Sequence, residues 1–228
     1  MKPYVYLLVN FGCIVVPVIA SFYKKHAFFN VWKSFFKANL IVALFFLIWD
    51  ILFTKAGIWG FNPEYLTGLF IFNLPIEEVL FFICIPYACV FSFYAFEYLF
   101  KQNPLQKWHR FISIPLIVLL LSIAVINYDR LYTSITFFCT SLFLVYMLFI
   151  KRDLSLYYLS YLCIIPFFIL SNGILTGSFF IDPIVWYNNE ENLGIRLVNI
   201  PIEDIIYGML LVFMNIELFN YYRQKNHL

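Results

Sequence analysis

The amino-acid sequence predicts an all-α integral membrane protein, built as a bundle of seven transmembrane helices. Hydrophobic residues make up 63% of the 228-residue chain and charged residues only 12%, whereas soluble domains contain about 25% charged residues. Apolar stretches of about 20 residues, the length that crosses a bilayer, recur along the chain. Too little polar sequence remains to cover these stretches in a soluble fold.

The apolar stretches predict seven helices, and the loops between them alternate in charge. Basic residues such as Lys24, Lys107, Arg152 and Arg223 follow the first, third, fifth and seventh stretches, whereas the other loops contain few. Because cytoplasmic loops are enriched in Lys and Arg, we expect the N-terminus outside and the C-terminus inside the cytoplasmic membrane. The helices are expected at about 3–22, 38–54, 75–99, 111–127, 131–150, 157–175 and 199–221.

The predicted helices have local reasons for their limits. The first ends before the basic segment that starts at Lys24, and the second ends soon after Asp50. The third and the seventh begin beside Pro75 and Pro201, since proline is favoured in the first turn of a helix. A basic segment, beginning at Lys151, separates the fifth helix from the sixth.

Two segments that lead into the third and seventh helices repeat each other. Residues 61–78 and 187–204 align without a gap and share seven identities in eighteen positions. Such self-similarity indicates an internal repeat. Because the copies are separated by four helices, they have the same orientation in the membrane. We therefore predict two parallel repeats, at 1–105 and 131–228, joined by a linker helix at 106–130.

Each copy of the repeat places two acids at the start of a long apolar stretch. They are Glu77 and Glu78 in the first copy and Glu203 and Asp204 in the second. Acids inside membrane segments are costly and usually functional. A structural alternative exists, because acids also stabilise the first turn of a helix through its dipole. The two matching copies favour a functional site shared between the halves.

Clustered carboxyls in apolar surroundings suit acid–base chemistry. Burial and a neighbouring carboxylate both raise the pKa of a carboxyl, so that one group can hold a proton at neutral pH and another can take it back. The chain is also rich in aromatic residues, at 22%, and aromatic ring faces stabilise cations. Acids and aromatic rings together are what the protonation-initiated cyclisation of an isoprenoid requires.

Further polar and aromatic residues lie near the acid pairs in the sequence. The four aromatics that precede the acid motifs are alternatively anchors at the membrane interface, and Asp50 alternatively has a role at a helix end. We predict substrate-binding roles for Asn73, Asn199, Asp50, Trp49, Trp59, Phe61, Trp186, Tyr187 and Tyr207.

Several familiar patterns are missing from the sequence. It contains no Gly-x-Gly-x-x-Gly nucleotide motif, no Asp-x-x-x-Asp diphosphate pattern and no His-Glu-x-x-His metal motif. The five cysteines include no Cys-x-x-Cys pair, and the net charge of +2 gives no indication of nucleic acid. We therefore expect no cofactor, no metal ion and no nucleic-acid partner, and the oligomeric state is left open.

The segments around the acid pairs resemble a known family. Residues 57–68 and 73–82 resemble the first lycopene cyclase domain of the flavin-independent carotenoid β-cyclases. Residues 185–189, 193–196 and 200–208 resemble the second domain. The resemblance covers essentially the full length of the chain and corresponds to the form in which both domains are fused.

The resemblance implies a redox-neutral enzyme that converts lycopene through γ-carotene to β-carotene in the lipid bilayer. In this reaction one of the four paired acids protonates the terminal double bond, and the resulting cation closes a six-membered ring. We favour Glu77 and Glu203 as the acids nearest the reaction, with Glu78 and Asp204 tuning them or accepting the proton. The alternatives are a cyclase of another polyprenyl substrate, or a non-catalytic membrane carrier or lipid-binding protein that uses the acids for proton coupling.

Overall fold

Seven long α-helices dominate residues 2–100, 103–180 and 182–225, which the computed structural model describes. Short loops join most consecutive helices, and longer loops precede the third and the seventh. The helices are α1 (Val5–Ala20), α2 (Trp32–Ala56), α3 (Ile76–Leu99), α4 (His109–Ile126), α5 (Leu131–Phe149), α6 (Ser155–Leu175) and α7 (Ile202–Lys225).

The observed helices lie at the predicted positions and differ from the prediction at their ends. The largest difference is in α2, which begins at Trp32 and not near residue 38. Lys33 is exposed in this first part of α2, whereas Phe35 is fully buried. An apolar stretch ends at such lysines, but the helix continues through them because its buried face is still apolar.

Six helices in the described part of the chain are long and apolar enough to cross a membrane, which is consistent with an integral membrane protein. The helix that is not among them is α7, which contains Glu203, Asp204, Asn215 and Glu217. All four side chains are buried, and α7 packs against α2, α3, α5 and α6. Polar residues of membrane helices normally lie inside the bundle, so the burial of these four side chains is compatible with a membrane-spanning α7. A seventh span at α7 stays a prediction.

Short strands organise the loops before α3 and α7. Two small hairpins lead directly into these helices, and a third strand pair joins the two loops to each other. The hairpins are β2 (Phe70–Ile71) with β3 (Leu74–Pro75) and β5 (Arg196–Leu197) with β6 (Ile200–Pro201), and the joining pair is β1 (Trp59–Phe61) with β4 (Val185–Tyr187).

The two hairpins have the same backbone geometry at positions 126 residues apart (198 minus 72). Phe72 and Val198 both adopt a positive φ, of 55° and 59°, which is uncommon for residues with large side chains. The N–H of the residue that begins each helix donates to the loop at 2.9 Å and 3.0 Å respectively. The sequence segments that resemble each other therefore also have the same local structure.

The β1–β4 pair connects the two loops reciprocally. The Asn62 N–H donates to the Ile184 carbonyl and the Asn188 N–H donates to the Ile58 carbonyl, both at 2.8 Å. At the centre of the pair Gly60 lies opposite Trp186. A Cβ at Gly60 would lie 2.4 Å from the Trp186 ring, so this contact requires glycine.

An aromatic cluster fills the space between α2, α5 and α7. Phe46 and Trp49 of α2 stack at 5.8 Å between ring centroids, and Phe46 also contacts Tyr207 at 5.0 Å. Tyr132 of α5, Leu211 of α7 and Phe82 of α3 also belong to this cluster. The corresponding space on the other side of α7 is a cavity.

Candidate active site

The two hairpins place four acids in the first turns of α3 and α7. Glu77 and Glu203 are fully buried there. The Oε1 atom of Glu77 accepts the Thr67 N–H at 2.7 Å, and that of Glu203 accepts the Leu193 N–H at 2.7 Å. Each of these two carboxyls therefore fastens the preceding loop to the start of its helix.

The next residue in each helix, Glu78 or Asp204, lines a cavity of about 810 Å³. The cavity lies among α1, α3, α6 and α7, and residues of β1 and β4 contribute to its wall. Because consecutive helical residues lie about 100° apart, only one acid of each pair reaches it. Asp50 of α2 adds a third carboxyl to the same wall.

The carboxyls of Glu78 and Asp50 accept hydrogen bonds from neighbouring elements. Glu78 accepts one from the Tyr6 hydroxyl of α1. Asp50 Oδ1 accepts one from Trp59 Nε1 at 2.5 Å and one from the Thr54 hydroxyl at 3.1 Å. Both side chains are almost completely removed from solvent, so these bonds offset part of the cost of burying a polar group.

Asp204 accepts more hydrogen bonds than either of the other two acids of the cavity wall. The Tyr132 hydroxyl donates to Oδ1. Asn172 Nδ2 and the Tyr187 hydroxyl donate to Oδ2, at 2.6 Å and 2.8 Å. Donors of this kind stabilise the charged form of a carboxyl, so Asp204 is the best-stabilised carboxylate of the site.

Burial, followed by the charge of Asp204, raises the pKa of Tyr187 well above its usual value. Its phenol therefore stays protonated at any physiological pH and remains a donor to Asp204. Tyr187 belongs to β4, so the pairing of β4 with β1 also fixes where this hydroxyl lies.

Four aromatic rings surround the acids. Trp59 lies 5.1 Å from Tyr132 and 6.1 Å from Tyr207, measured between ring centroids, and Tyr132 stacks on Tyr187 at 5.9 Å. The Tyr207 hydroxyl has no hydrogen-bond partner among the described residues, and its side chain lines the same cavity as the three acids. Proton donors and cation-stabilising rings thus lie in one apolar space.

The structure separates the predicted site residues into two groups. Glu78, Asp204, Asp50, Trp59, Phe61, Tyr187 and Tyr207 line the cavity. The remaining predicted residues, which are not in its wall, are Glu77, Glu203, Asn73, Asn199, Trp49 and Trp186.

The residues outside the cavity wall have structural contacts instead. Asn73 donates to the Ile51 carbonyl at 3.0 Å, and the Asn199 carbonyl accepts a hydrogen bond from Arg196 at 2.7 Å. Trp49 packs in the aromatic cluster, and Trp186 covers Gly60 from outside the cavity.

The expectation that Glu77 and Glu203 lie nearest the reaction does not agree with this placement. Their carboxyls bind loop N–H groups, whereas Glu78 and Asp204 reach the cavity. The acid motif predicts where the pair lies along the helix. The packing of α1 and α6 decides which side of α3 and α7 borders the cavity, and this is not visible in the motif.

Two tyrosines of the site, Tyr6 and Tyr132, were not predicted. Tyr6 donates to Glu78, and Tyr132 donates to Asp204. The two donors lie 126 residues apart, and so do the two acceptors. This is also the separation between the two acid motifs. A search for identical residues at that separation would have found the tyrosines from the sequence.

Comparison with known protein families gives a match that includes the acids of the cavity wall. The family model described as lycopene cyclase matches residues 3–99 and 129–222, one segment in each half of the chain. No curated protein and no solved structure matches the chain. The two matched segments cover most of the sequence and contain all three acids of the cavity wall. The chain therefore belongs to the lycopene cyclase family.

Proposed function

We propose that the protein is a lycopene β-cyclase, which closes the linear ends of lycopene into β-ionone rings without a net redox change. One observation supports this most strongly. In a member of the lycopene cyclase family, Asp50, Glu78 and Asp204 lie together in the wall of an apolar cavity with several aromatic rings. Protonation of an alkene requires such an acid, and a cation intermediate benefits from the surrounding rings.

We assign the proton-donating role to Glu78 and the proton-accepting role to Asp204. Glu78 accepts its hydrogen bond from Tyr6, whereas Asp204 accepts three, from Tyr132, Asn172 and Tyr187. The carboxyl with more donors is better able to hold negative charge beside a cation. Asp50 adds a further carboxylate to stabilise that cation. Glu77 and Glu203 act by positioning the two helix starts.

The reaction is balanced in protons and electrons. Glu78 transfers its proton to C2 of the terminal C1=C2 bond, which leaves a tertiary cation at C1. The C5=C6 bond attacks C1, the C1–C6 bond forms, and the cation moves to C5. Asp204 removes the proton from C6, and the new C5=C6 double bond completes the ring. The second end of the chain reacts in the same way, so that γ-carotene precedes β-carotene.

We further propose that the protein consists of two parallel repeats, 1–105 and 131–228, with 106–130 as the linker. The hydrogen bonds from Tyr6 to Glu78 and from Tyr132 to Asp204 support this, as they recur at a constant separation. In this proposal α7 is the seventh span. The distribution of basic loops supports an outer N-terminus and an inner C-terminus in the cytoplasmic membrane.

Expression in a lycopene-accumulating host tests the proposed function. Wild-type protein should convert lycopene to β-carotene, as measured by chromatography of the extracted pigments. Glu78→Gln removes the proton donor and should lower conversion by at least about a hundredfold, the range that general acid catalysis contributes. Unchanged lycopene with inserted wild-type protein would rule out the lycopene assignment and favour another polyprenyl substrate or a carrier.

Glu77→Gln is the matched control for Glu78→Gln. The amide oxygen of the substituted side chain can still accept the Thr67 N–H, so conversion should stay within about threefold of wild type, a free-energy difference below about 1 kcal/mol. If Glu77→Gln abolishes conversion and Glu78→Gln does not, our assignment within the pair is wrong.

A solvent-isotope experiment tests the protonation step separately. In deuterated water each new ring should contain one deuterium at C2, because the proton delivered by Glu78 exchanges with solvent between turnovers. Mass spectrometry of the product should show one added mass unit per ring. Product without deuterium would contradict an acid that is reprotonated from water.

A further inference from the structure

The cavity beside the acids is open on one side, between α1 and α6. Most residues of its wall are buried or half-buried. Among the residues that the structure describes, the exposed ones along the wall belong to α1 or α6. They include Leu8 and Val16 of α1 and Phe167 and Leu170 of α6.

The rim of this opening is apolar and lies along two membrane-length helices. Both α1 and α6 are long and apolar enough to cross a bilayer, and α1 packs chiefly against α3. Lipid chains, not water, therefore surround the opening in a membrane. The three acids lie at the inner wall and are nearly inaccessible, with Asp50 only 1% exposed.

The related space in the other half of the molecule is closed by larger side chains. Gly208, Ala88 and Ser92 line the open cavity. The residues that lie 126 positions away in the chain are Phe82, Met214 and Leu218, and all three belong to the aromatic cluster between α2, α5 and α7. The opening is therefore a feature of one half, produced by small residues on α3 and α7.

We propose that the gap between α1 and α6 is a lateral portal, through which one end of a long linear isoprenoid enters from the bilayer. The reacting end lies beside the acids, and the rest of the chain stays among the lipids. An apolar rim favours such an occupant over any polar solute. The identity of the occupant rests on the proposed function, whereas the portal itself can be tested without turnover.

A native cysteine reports on the portal. Cys13 lines the cavity next to Gly12, and Ser171 of α6 lines it from the other side of the gap. Cys139, 126 residues later, is a matched control because it is half-buried like Cys13 but packs against the aromatic cluster and does not line the cavity. In membrane vesicles, N-dodecylmaleimide should alkylate Cys13 about tenfold faster than Cys139, as resolved by peptide mass spectrometry, corresponding to about 1.4 kcal/mol of activation free energy.

Gly12→Trp should close the portal. A Cβ at Gly12 meets nothing within 4 Å, so the indole can be accommodated at the rim and obstruct it. Alkylation of Cys13 should slow by about tenfold, and lycopene conversion should fall by a similar factor. Phe138→Trp adds bulk at the related, exposed position of α5 and should change neither rate.

The outcomes separate the portal from the proposed function. Lycopene added to vesicles should protect Cys13, and not Cys139, from the maleimide. Wild-type rates of Cys13 alkylation in Gly12→Trp, or no protection by lycopene in membranes that convert it, would overturn the portal. Fast alkylation of Cys13 that Gly12→Trp slows, in membranes that never convert lycopene, would support the portal and refute the lycopene assignment.

Discussion

The three carboxyls of the cavity wall are buried to a similar degree but accept different numbers of hydrogen bonds. Asp204 is bonded to Tyr132, Asn172 and Tyr187, whereas Glu78 is bonded to Tyr6. A hydrogen bond to a charged group contributes about 1.5–3 kcal/mol. Such differences give chemically similar groups different roles in one site.

Removal of single tyrosine hydroxyls tests these roles at the scale of the residue. Tyr6→Phe removes the hydroxyl that holds Glu78 in place, whereas Tyr132→Phe leaves Asp204 with two other donors. We expect conversion to fall about tenfold or more in Tyr6→Phe, corresponding to a loss of about 1.5 kcal/mol, and by less in Tyr132→Phe. The measurement is initial pigment conversion at equal amounts of inserted protein. A larger loss in Tyr132→Phe would contradict the assignment.

At the scale of the element, the strand pair between the two loops holds the site together. β1 supplies Trp59, the donor to Asp50, and β4 supplies Tyr187, a donor to Asp204. Their antiparallel pairing therefore sets the relative position of two acids from different halves of the chain. The pairing depends on Gly60, which lies beneath the Trp186 ring.

Gly60→Ala should disturb this pairing. The new methyl group would lie 2.4 Å from the Trp186 ring, and overpacking of this kind costs about 1–3 kcal/mol. We expect a lower midpoint of thermal inactivation in detergent together with reduced conversion. In the double variant Gly60→Ala and Trp186→Ala the clash is gone, so the added cost of the alanine should disappear. If Gly60→Ala lowers the midpoint of thermal inactivation by the same amount in the Trp186→Ala background, the strand pair is disturbed for another reason.

At the scale of the whole molecule, both halves of the chain contribute to one open site. Both halves contribute acids to a single cavity, because Glu78 comes from α3 and Asp204 from α7. The second space, beside α5, is filled by Phe46, Trp49 and neighbouring rings. This geometry fits one site that is shared between the halves. It does not fit two complete sites, because side chains fill the second space.

A single open site makes a prediction about the order of products. In the proposed reaction only one end of lycopene lies beside the acids at a time, so the monocyclic γ-carotene would have to turn around in the membrane before its second end reacts. At high ratios of lycopene to protein, γ-carotene should accumulate first and then decline as β-carotene appears. A time course of pigments measures this. β-Carotene that forms with no γ-carotene at any ratio would require both ends to react without release.

The sequence by itself determined the membrane class, the positions of the helices and the positions of the acid pairs. Hydropathy and helix-start patterns depend on neighbouring residues, so they can be recognised without the fold. Segments 61–78 and 187–204 also predicted a local structure that recurs, as the two hairpins have matching geometry. The extra length of α2 was missed because lysines interrupt its apolar stretch.

Only the tertiary structure decided which acids border the cavity and which tyrosines bind them. Glu77 and Glu78 differ by one residue and therefore by about 100° around α3, and their separation into a loop contact and a cavity contact depends on where α1 and α6 pack. Tyr6 and Glu78 lie 72 residues apart. Their contact arises from helix packing, as does the opening of the cavity on one side, because both depend on side chains that meet only in the folded bundle.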